Sequence, residues 1–307
     1  MMKRCLLALP LLLAGAPALA DPPAGFDARV ESIRIASETP GISIAIVENG
    51  KVVLAKGYGV RRQGAAPKVD ADTLFMIGST GKAFTVAALA TLVDAGKIGW
   101  DDKVIDHLPG FQMYDPWVTR EITVRDLLVH RSGLGLGAGD LLLVPRGKLS
   151  RAEVVRRLRY LKPATSFRSG YAYDNILYIV AGAVIEAVSG QSWEDYMREH
   201  VFRPGGFPNA TAEMARQLSV PDRAQPHARF GGSVRGIGPV RVLDERDRLG
   251  QAGAPAGLMA ASANDMARWL QIQLAGGALP GGKGRLFSEA AAKEMWTPVT
   301  PMPIEPY

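Results

Sequence analysis

The chain has 307 residues, 47% of them hydrophobic and 21% charged, with a mean hydropathy of +0.04. This is the composition of a globular protein that buries a sizeable core, and it excludes disordered and collagen-like classes. The formal charge of +6 includes Lys3 and Arg4, so it falls to 6 − 2 = +4 without them, an excess too small to specify an acidic partner.

The first segment, "MMKRCLLALPLLLAGAPALA", has two basic residues, an apolar run from Cys5 to Leu13 and the small-residue triplet Ala18-Leu19-Ala20. This pattern predicts a signal peptide over residues 1–20, cut before Asp21, and a periplasmic or secreted mature protein. The run is too short to span a bilayer, and no later segment offers the roughly 20 consecutive apolar residues of a membrane helix. Cys5 is the only cysteine, so the mature chain carries no thiol chemistry. Residues 21–307 are expected to form a single domain of two lobes.

"GISIAIVENGKVVLAKGYGV", Gly41 to Val60, alternates apolar and polar residues around Asn49-Gly50 and predicts a β-hairpin. "GKAFTVAALATLVDA", Gly81 to Ala95, is apolar nearly all round and predicts a buried helix stopped by Gly96. "KIGWDDKVIDHLPGF" and "ITVRDLLVHRSGL" read as short elements of an irregular helical lobe. Ser150 with Glu153, Ser192 with Asp195, and Ser262 with Asp265 are capping-box pairs at three further helix starts. "NILYIVAGAVIEAV" predicts a second buried helix. The fold class is therefore α+β, an antiparallel sheet with flanking helices plus a helical lobe. A single hairpin is a marginal sheet, so its partner strands are expected either from "HARF…VRVLDE" or from chain beyond Tyr307.

The chemistry centres on "LFMIGSTGKAF", Leu74 to Phe84. A phosphate-binding loop requires a glycine where Met76 stands and a hydroxyl where Ala83 stands; a nucleophile elbow requires a glycine where Ile77 stands. What remains is Ser79-Thr80-Gly81-Lys82, an S-x-x-K that places serine and lysine on one helix face. The helix N-terminus favours an oxyanion there, and burial of Lys82 would make its amine a proton acceptor. Taken alone, the same pattern describes a capped helix with a solvated lysine. A second motif, Tyr173-Asp174-Asn175, runs straight into the second buried helix. Its tyrosine can shuttle a proton and its amide can hold a carbonyl or the lysine.

"MIGSTGKAFTVAALATLVDAGKIGWDDKV", "ITVRDLLVHRSGL", "YAYDNILYIVAGAVIEAVSGQSWEDYM" and "AGLMAASANDMARWLQIQL" together resemble the serine β-lactamase and penicillin-binding-protein superfamily, in its class C β-lactamase-related branch. The resemblance implies a β-lactamase/transpeptidase-like fold, Ser79 as acylated nucleophile, Lys82 as its proton acceptor, Tyr173 as general acid and base, and Asn175 as a substrate-binding amide. It implies a small acyl substrate: a β-lactam, an ester or a D-amino-acid amide. The alternative is a penicillin- or peptidoglycan-binding module that does not turn over. The superfamily's third motif, K-[ST]-G or H-x-G, has no match; "HARFGG" and "GGKGRLF" both depart from it, and a C-terminally incomplete domain is expected.

Other features carry less. His107, His130, His200 and His227 lack metal-ligand spacing, so no metal and no cofactor is expected. His130 reads as structural support of the site wall. "GLGLGAG", Gly133 to Gly139, reads as a flexible loop beside the cleft. The basic cluster Arg156, Arg157, Arg159, Lys162 and Arg168 is either a solvated face or a guide for anionic substrate. Without interleaved aromatics it is no nucleic-acid surface.

Overall fold

A computed structural model of the chain describes residues 22–144, 148–232, 236–244 and 250–302. The leader read over residues 1–20 lies outside the described residues.

After helix α1 (Phe26–Ala36), Asn49 and Gly50 join strands β1 (Gly41–Glu48) and β2 (Lys51–Gly59), with Glu48 paired to Lys51. Both turn residues have positive φ, 49° and 74°. A two-residue turn needs this to follow the strand twist, and Asn and Gly tolerate it. Strand β3 (Phe75–Met76) leads through a 3₁₀ turn, Gly78–Thr80, into α2 (Gly81–Asp94). The helical lobe follows with α3 (Val124–Leu128), α4 (Arg151–Arg157) and α5 (Ile176–Ser189). The chain then forms β4 (His227–Arg229), β5 (Val240–Val242), α6 (Ala254–Gly257), β6 (Ala260–Ala261), α7 (Ala263–Leu274) and α8 (Glu289–Met295).

Helices α2 and α5 are apolar nearly all round because most of their surface is buried: Phe84, the run Ala87 to Ala90, and Ile176 to Ala181 are inaccessible to solvent or nearly so. Phe84 stacks on Trp269 of α7 with ring centres 4.0 Å apart, and α7 in turn packs on β1 and β2. The hairpin and the helical core therefore share one interior. No single helix among the described residues is long and apolar enough to cross a membrane.

Among the described residues the strands form three separate two-stranded antiparallel sheets, β1-β2, β3-β6 and β4-β5. The segment "HARF…VRV" does form strands, but they pair with each other and do not extend the first hairpin. Its placement follows from its polar contacts. Arg229 reaches Glu38 and the Ser37 carbonyl ahead of β1, and His227 Nε2 accepts from the Gln63 amide beyond β2.

Of the three expected capping boxes only Ser262–Asp265 closes both ways. Ser150 and Ser192 cap their helices one way, because the Glu153 carboxylate holds Arg156 and Arg157, and the Asp195 carboxylate holds the Ser192 hydroxyl and Arg198. A further full box, Thr123–Asp126, starts α3; its T-x-x-D pattern was present in "ITVRDLL". The basic cluster is mostly neutralised in place. Arg156 and Arg157 share Glu153, and Arg168 binds Asp126, which is fully buried.

Candidate active site

The site is assembled where three chain segments meet. The β3–β6 pair and the Ile77 amide, which donates to the Met259 carbonyl at 3.0 Å, hold the start of the 3₁₀ turn against the end of α6. Residue 257 must be glycine for this approach, since a Cβ there would lie 3.0 Å from the Gly78 carbonyl and 3.1 Å from the Ser79 nitrogen. Ser79 thereby sits exposed at the N-terminal end of α2, while Lys82, one turn on, is only 6% exposed. The solvated-lysine alternative left open by the sequence is excluded by that burial.

Lys82 Nζ has three oxygen partners: the Ala256 carbonyl at 2.6 Å, Asn175 Oδ1 at 2.8 Å and Ser79 Oγ at 3.0 Å. Its cation also faces the rings of Tyr173 and Tyr178, 5.1 and 5.2 Å from their centres. No carboxylate within the described residues forms a salt bridge with it. Tyr173 donates its hydroxyl to Ser79 Oγ at 2.8 Å. The serine is thus held between a phenol and an amine, and the predicted residues Ser79, Lys82, Tyr173 and Asn175 all converge. As the cation, Lys82 donates to all three oxygens; as the free amine it has two N–H donors for the Ala256 and Asn175 oxygens and a lone pair for the Ser79 proton.

Of the two partners the sequence allowed for its amide, a carbonyl or the lysine, Asn175 is in contact with Lys82. Its Oδ1 accepts from Lys82, and its Nδ2 donates to both oxygens of Asp140 at 3.1 and 3.2 Å. A cation on one side and an anion on the other fix the amide's orientation. Neither Asp140 nor the Ala256 carbonyl was read from the sequence. The first closes a glycine-rich loop with no motif of its own, and a backbone acceptor leaves no side-chain signature.

The electrostatics follow from burial beside Lys82. Burial pushes the Tyr173 phenol up, but Lys82 and Ser79 outweigh it and leave the phenol below the ordinary tyrosine range. Burial and the Lys82 charge push His130 down to about 4. Burial pushes the Asp174 carboxyl up to about 6, although the Leu177 amide and Ser132 hydroxyl donate to it.

These two shifts have opposite consequences for stability. Neutral His130 contributes stability that is present above its unfolded value of 6.5 and is lost as pH falls toward about 4. Protonated Asp174 contributes stability that is full below 3.8 and is lost as pH rises through about 6. Between pH 4 and 6 they oppose each other. The difference in unfolding free energy between His130→Phe and the parent should therefore change by on the order of 2 kcal/mol across that window, favouring the variant at the acid end. Asp174→Asn should shift by a similar amount in the other direction. Urea unfolding at stepped pH reads both, and two parallel curves would refute the assignment.

Ser79, Lys82, His130 and Tyr173 line a cleft of about 540 Å³ together with Trp100 and Trp296. Neither departure from the third motif reaches it. "HARFGG" starts in β4, which ends at Arg229, and Arg285 of "GGKGRLF" is bound to the Gly276 carbonyl. Among the described residues no cluster of His, Cys, Asp or Glu could hold a metal.

The model of the Beta-lactamase family matches residues 26–304. The chain belongs to the beta-lactamase family. Its curated relatives include penicillin-binding protein 4 of Amycolatopsis lactamdurans, 30% identical over 87% of this chain and 68% of that protein. They also include the unguisins hydrolase ungD' of Aspergillus campestris, 34% identical over 75% of this chain and 43% of that protein. This family member therefore spans about two thirds of the first relative and under half of the second. Among solved structures, the D-amino acid amidase of Ochrobactrum anthropi superposes with a TM-score of 0.71 at 22% identity, covering 87% of this chain and 72% of the amidase. The expected β-lactamase/transpeptidase-like α+β fold is the fold of this beta-lactamase family chain.

Proposed function

We propose that this chain is a serine acyl hydrolase that works through a Ser79 acyl-enzyme. The observation that carries the reading is the hydrogen-bonded chain from Tyr173 OH through Ser79 Oγ to Lys82 Nζ, at 2.8 and 3.0 Å. Ser79 Oγ attacks the substrate carbonyl carbon while its proton passes to neutral Lys82. The tetrahedral oxyanion forms beside Ser79 in the 3₁₀ turn that leads into α2, where the positive end of the helix dipole favours negative charge. Collapse breaks the bond to the leaving group, which takes a proton from Tyr173. In the second half-reaction, water gives a proton to Tyr173 and its oxygen attacks the acyl carbon. Ser79 then leaves with the proton held by Lys82. Asn175 orients Lys82 throughout.

The substrate is a small β-lactam, ester or D-amino-acid amide. The family, and a fold shared with a protein named as a D-amino acid amidase, support this range. The basic, apolar and small-residue pattern of residues 1–20 supports export. A panel of chromogenic cephalosporin, p-nitrophenyl esters and D-amino-acid p-nitroanilides tests the reading. Product from at least one of them, lost in Ser79→Ala, is the expected result. A stable fluorescent-penicillin adduct with no product from the panel would favour a binding module in its place.

A further inference from the structure

His130 does more than line a wall. Its backbone carbonyl accepts the Ala172 amide at 2.7 Å, and its ring Nδ1 accepts the Asp174 amide at 3.4 Å. One residue thus grips the peptide units on either side of Tyr173. The ring lies over the Tyr173 phenol with centres 4.4 Å apart and planes tilted by 33°, and it also meets Tyr171 at 5.9 Å and Tyr178 at 5.7 Å. The backbone at His130 is left-handed, with φ 54°. Non-glycine residues rarely adopt this region, and it tends to persist where the surroundings enforce it.

We infer that His130 is a positioning residue for Tyr173, holding the phenol on Ser79 by bracketing it at residues 172 and 174 and by stacking on its ring. The inference rests on the proton-shuttle reading of Tyr173 above. The hold needs the neutral imidazole, because Nδ1 accepts a hydrogen bond only when it carries no proton. The other ionisable groups around the ring are Lys82 on α2, the phenols of Tyr171 and Tyr173 on the preceding loop, and that of Tyr178 on α5. With Lys82 already cationic in part of the cycle, a charged His130 would be disfavoured beside it.

The experiment is a set of variants assayed on the best substrate of the panel above. His130→Phe keeps a stacked ring and removes the Nδ1 acceptor, leaving the Asp174 amide without a partner. It should lower kcat by about 10-fold while KM stays within about twofold. His130→Asn carries an oxygen close to the place of Nδ1 and should recover most of that loss. The double variant His130→Phe with Tyr173→Phe should be no slower than Tyr173→Phe alone, because a residue acting through the phenol has nothing left to act on.

Three outcomes would overturn the inference while leaving the acyl-enzyme intact: full kcat in His130→Phe, a loss confined to KM, or losses that multiply in the double variant. Tyr173→Phe with parental kcat would instead remove the reading of Tyr173 and this inference with it. A parent chain inert to the whole panel would do the same. Thermal unfolding of each variant guards against loss of folded protein: a kcat deficit that follows Tm and not the substitution counts against positioning.

Discussion

Lys82→Met is expected to lower kcat/KM by about 10³-fold while leaving the fold intact. Methionine keeps an unbranched side chain one atom shorter and removes the amine, so residue 82 can no longer take the Ser79 proton. Stability should change by no more than about 1 kcal/mol, because two effects oppose each other. The variant strands the Ala256 carbonyl and Asn175 Oδ1, which lose their donor. It also relieves the chain of a basic group that is 6% exposed and has no carboxylate among the described residues in a salt bridge with it. Functional groups held at such a cost are typical of active sites. A denaturation midpoint that drops in step with activity would make Lys82 a structural residue and not a base.

Asp126→Ala is expected to be the most destabilising single change in the helical lobe, by about 3–5 kcal/mol. The Asp126 side chain is fully buried and accepts from Arg131 at 2.6 Å, from Arg168 at 2.6 and 3.1 Å, and from the Thr123 amide and hydroxyl at 2.9 Å each. Removing it opens the capping box of α3 and takes the carboxylate from both Arg131 and Arg168. Arg131 adjoins His130, and the Arg168 amide donates to the Arg131 carbonyl at 2.7 Å. The same carboxylate therefore clamps both segments that bring His130 and Tyr173 together. Burial pushes the Asp126 carboxyl up, but Arg168, Thr123 and Arg131 outweigh it and hold it below the ordinary range. Its contribution is thus present at neutral pH and is lost only as pH falls through that lowered value. Glu153→Ala, which removes an exposed pairing with Arg156 and Arg157, should cost under about 1 kcal/mol. Equal costs for the two substitutions would contradict the ranking.

What could be read from the sequence divides along physical lines. The hairpin was legible because Asn-Gly between alternating runs has few other solutions, and the two core helices because an apolar surface all round demands burial on every side. The meeting of Ser79, Lys82, Tyr173 and Asn175 was legible because they are side chains at fixed local spacings in two short motifs. Side chains brought in by tertiary contact were harder. Asp140 reaches Asn175 from a loop 35 residues away in sequence, and no local pattern encodes that meeting. The Ala256 carbonyl, the closest partner of Lys82 Nζ at 2.6 Å, is invisible in any side-chain reading. His130 was visible as a residue, but its grip on both sides of Tyr173 depends on a left-handed backbone that its sequence neighbours do not announce. Where the β4–β5 pair sits was open too, since it is set by contacts of Arg229 and His227 with Glu38, Ser37 and Gln63, far back along the chain.

The most direct test of the acyl-enzyme is intact-mass measurement after mixing the chain with a penicillin or a p-nitrophenyl ester and quenching in acid, followed by peptide mapping. The expected result is one added acyl group on the peptide that contains Ser79, formed more slowly in Lys82→Met and absent in Ser79→Ala. An adduct that persists in Ser79→Ala, or hydrolysis by the parent chain that survives that substitution, would contradict it.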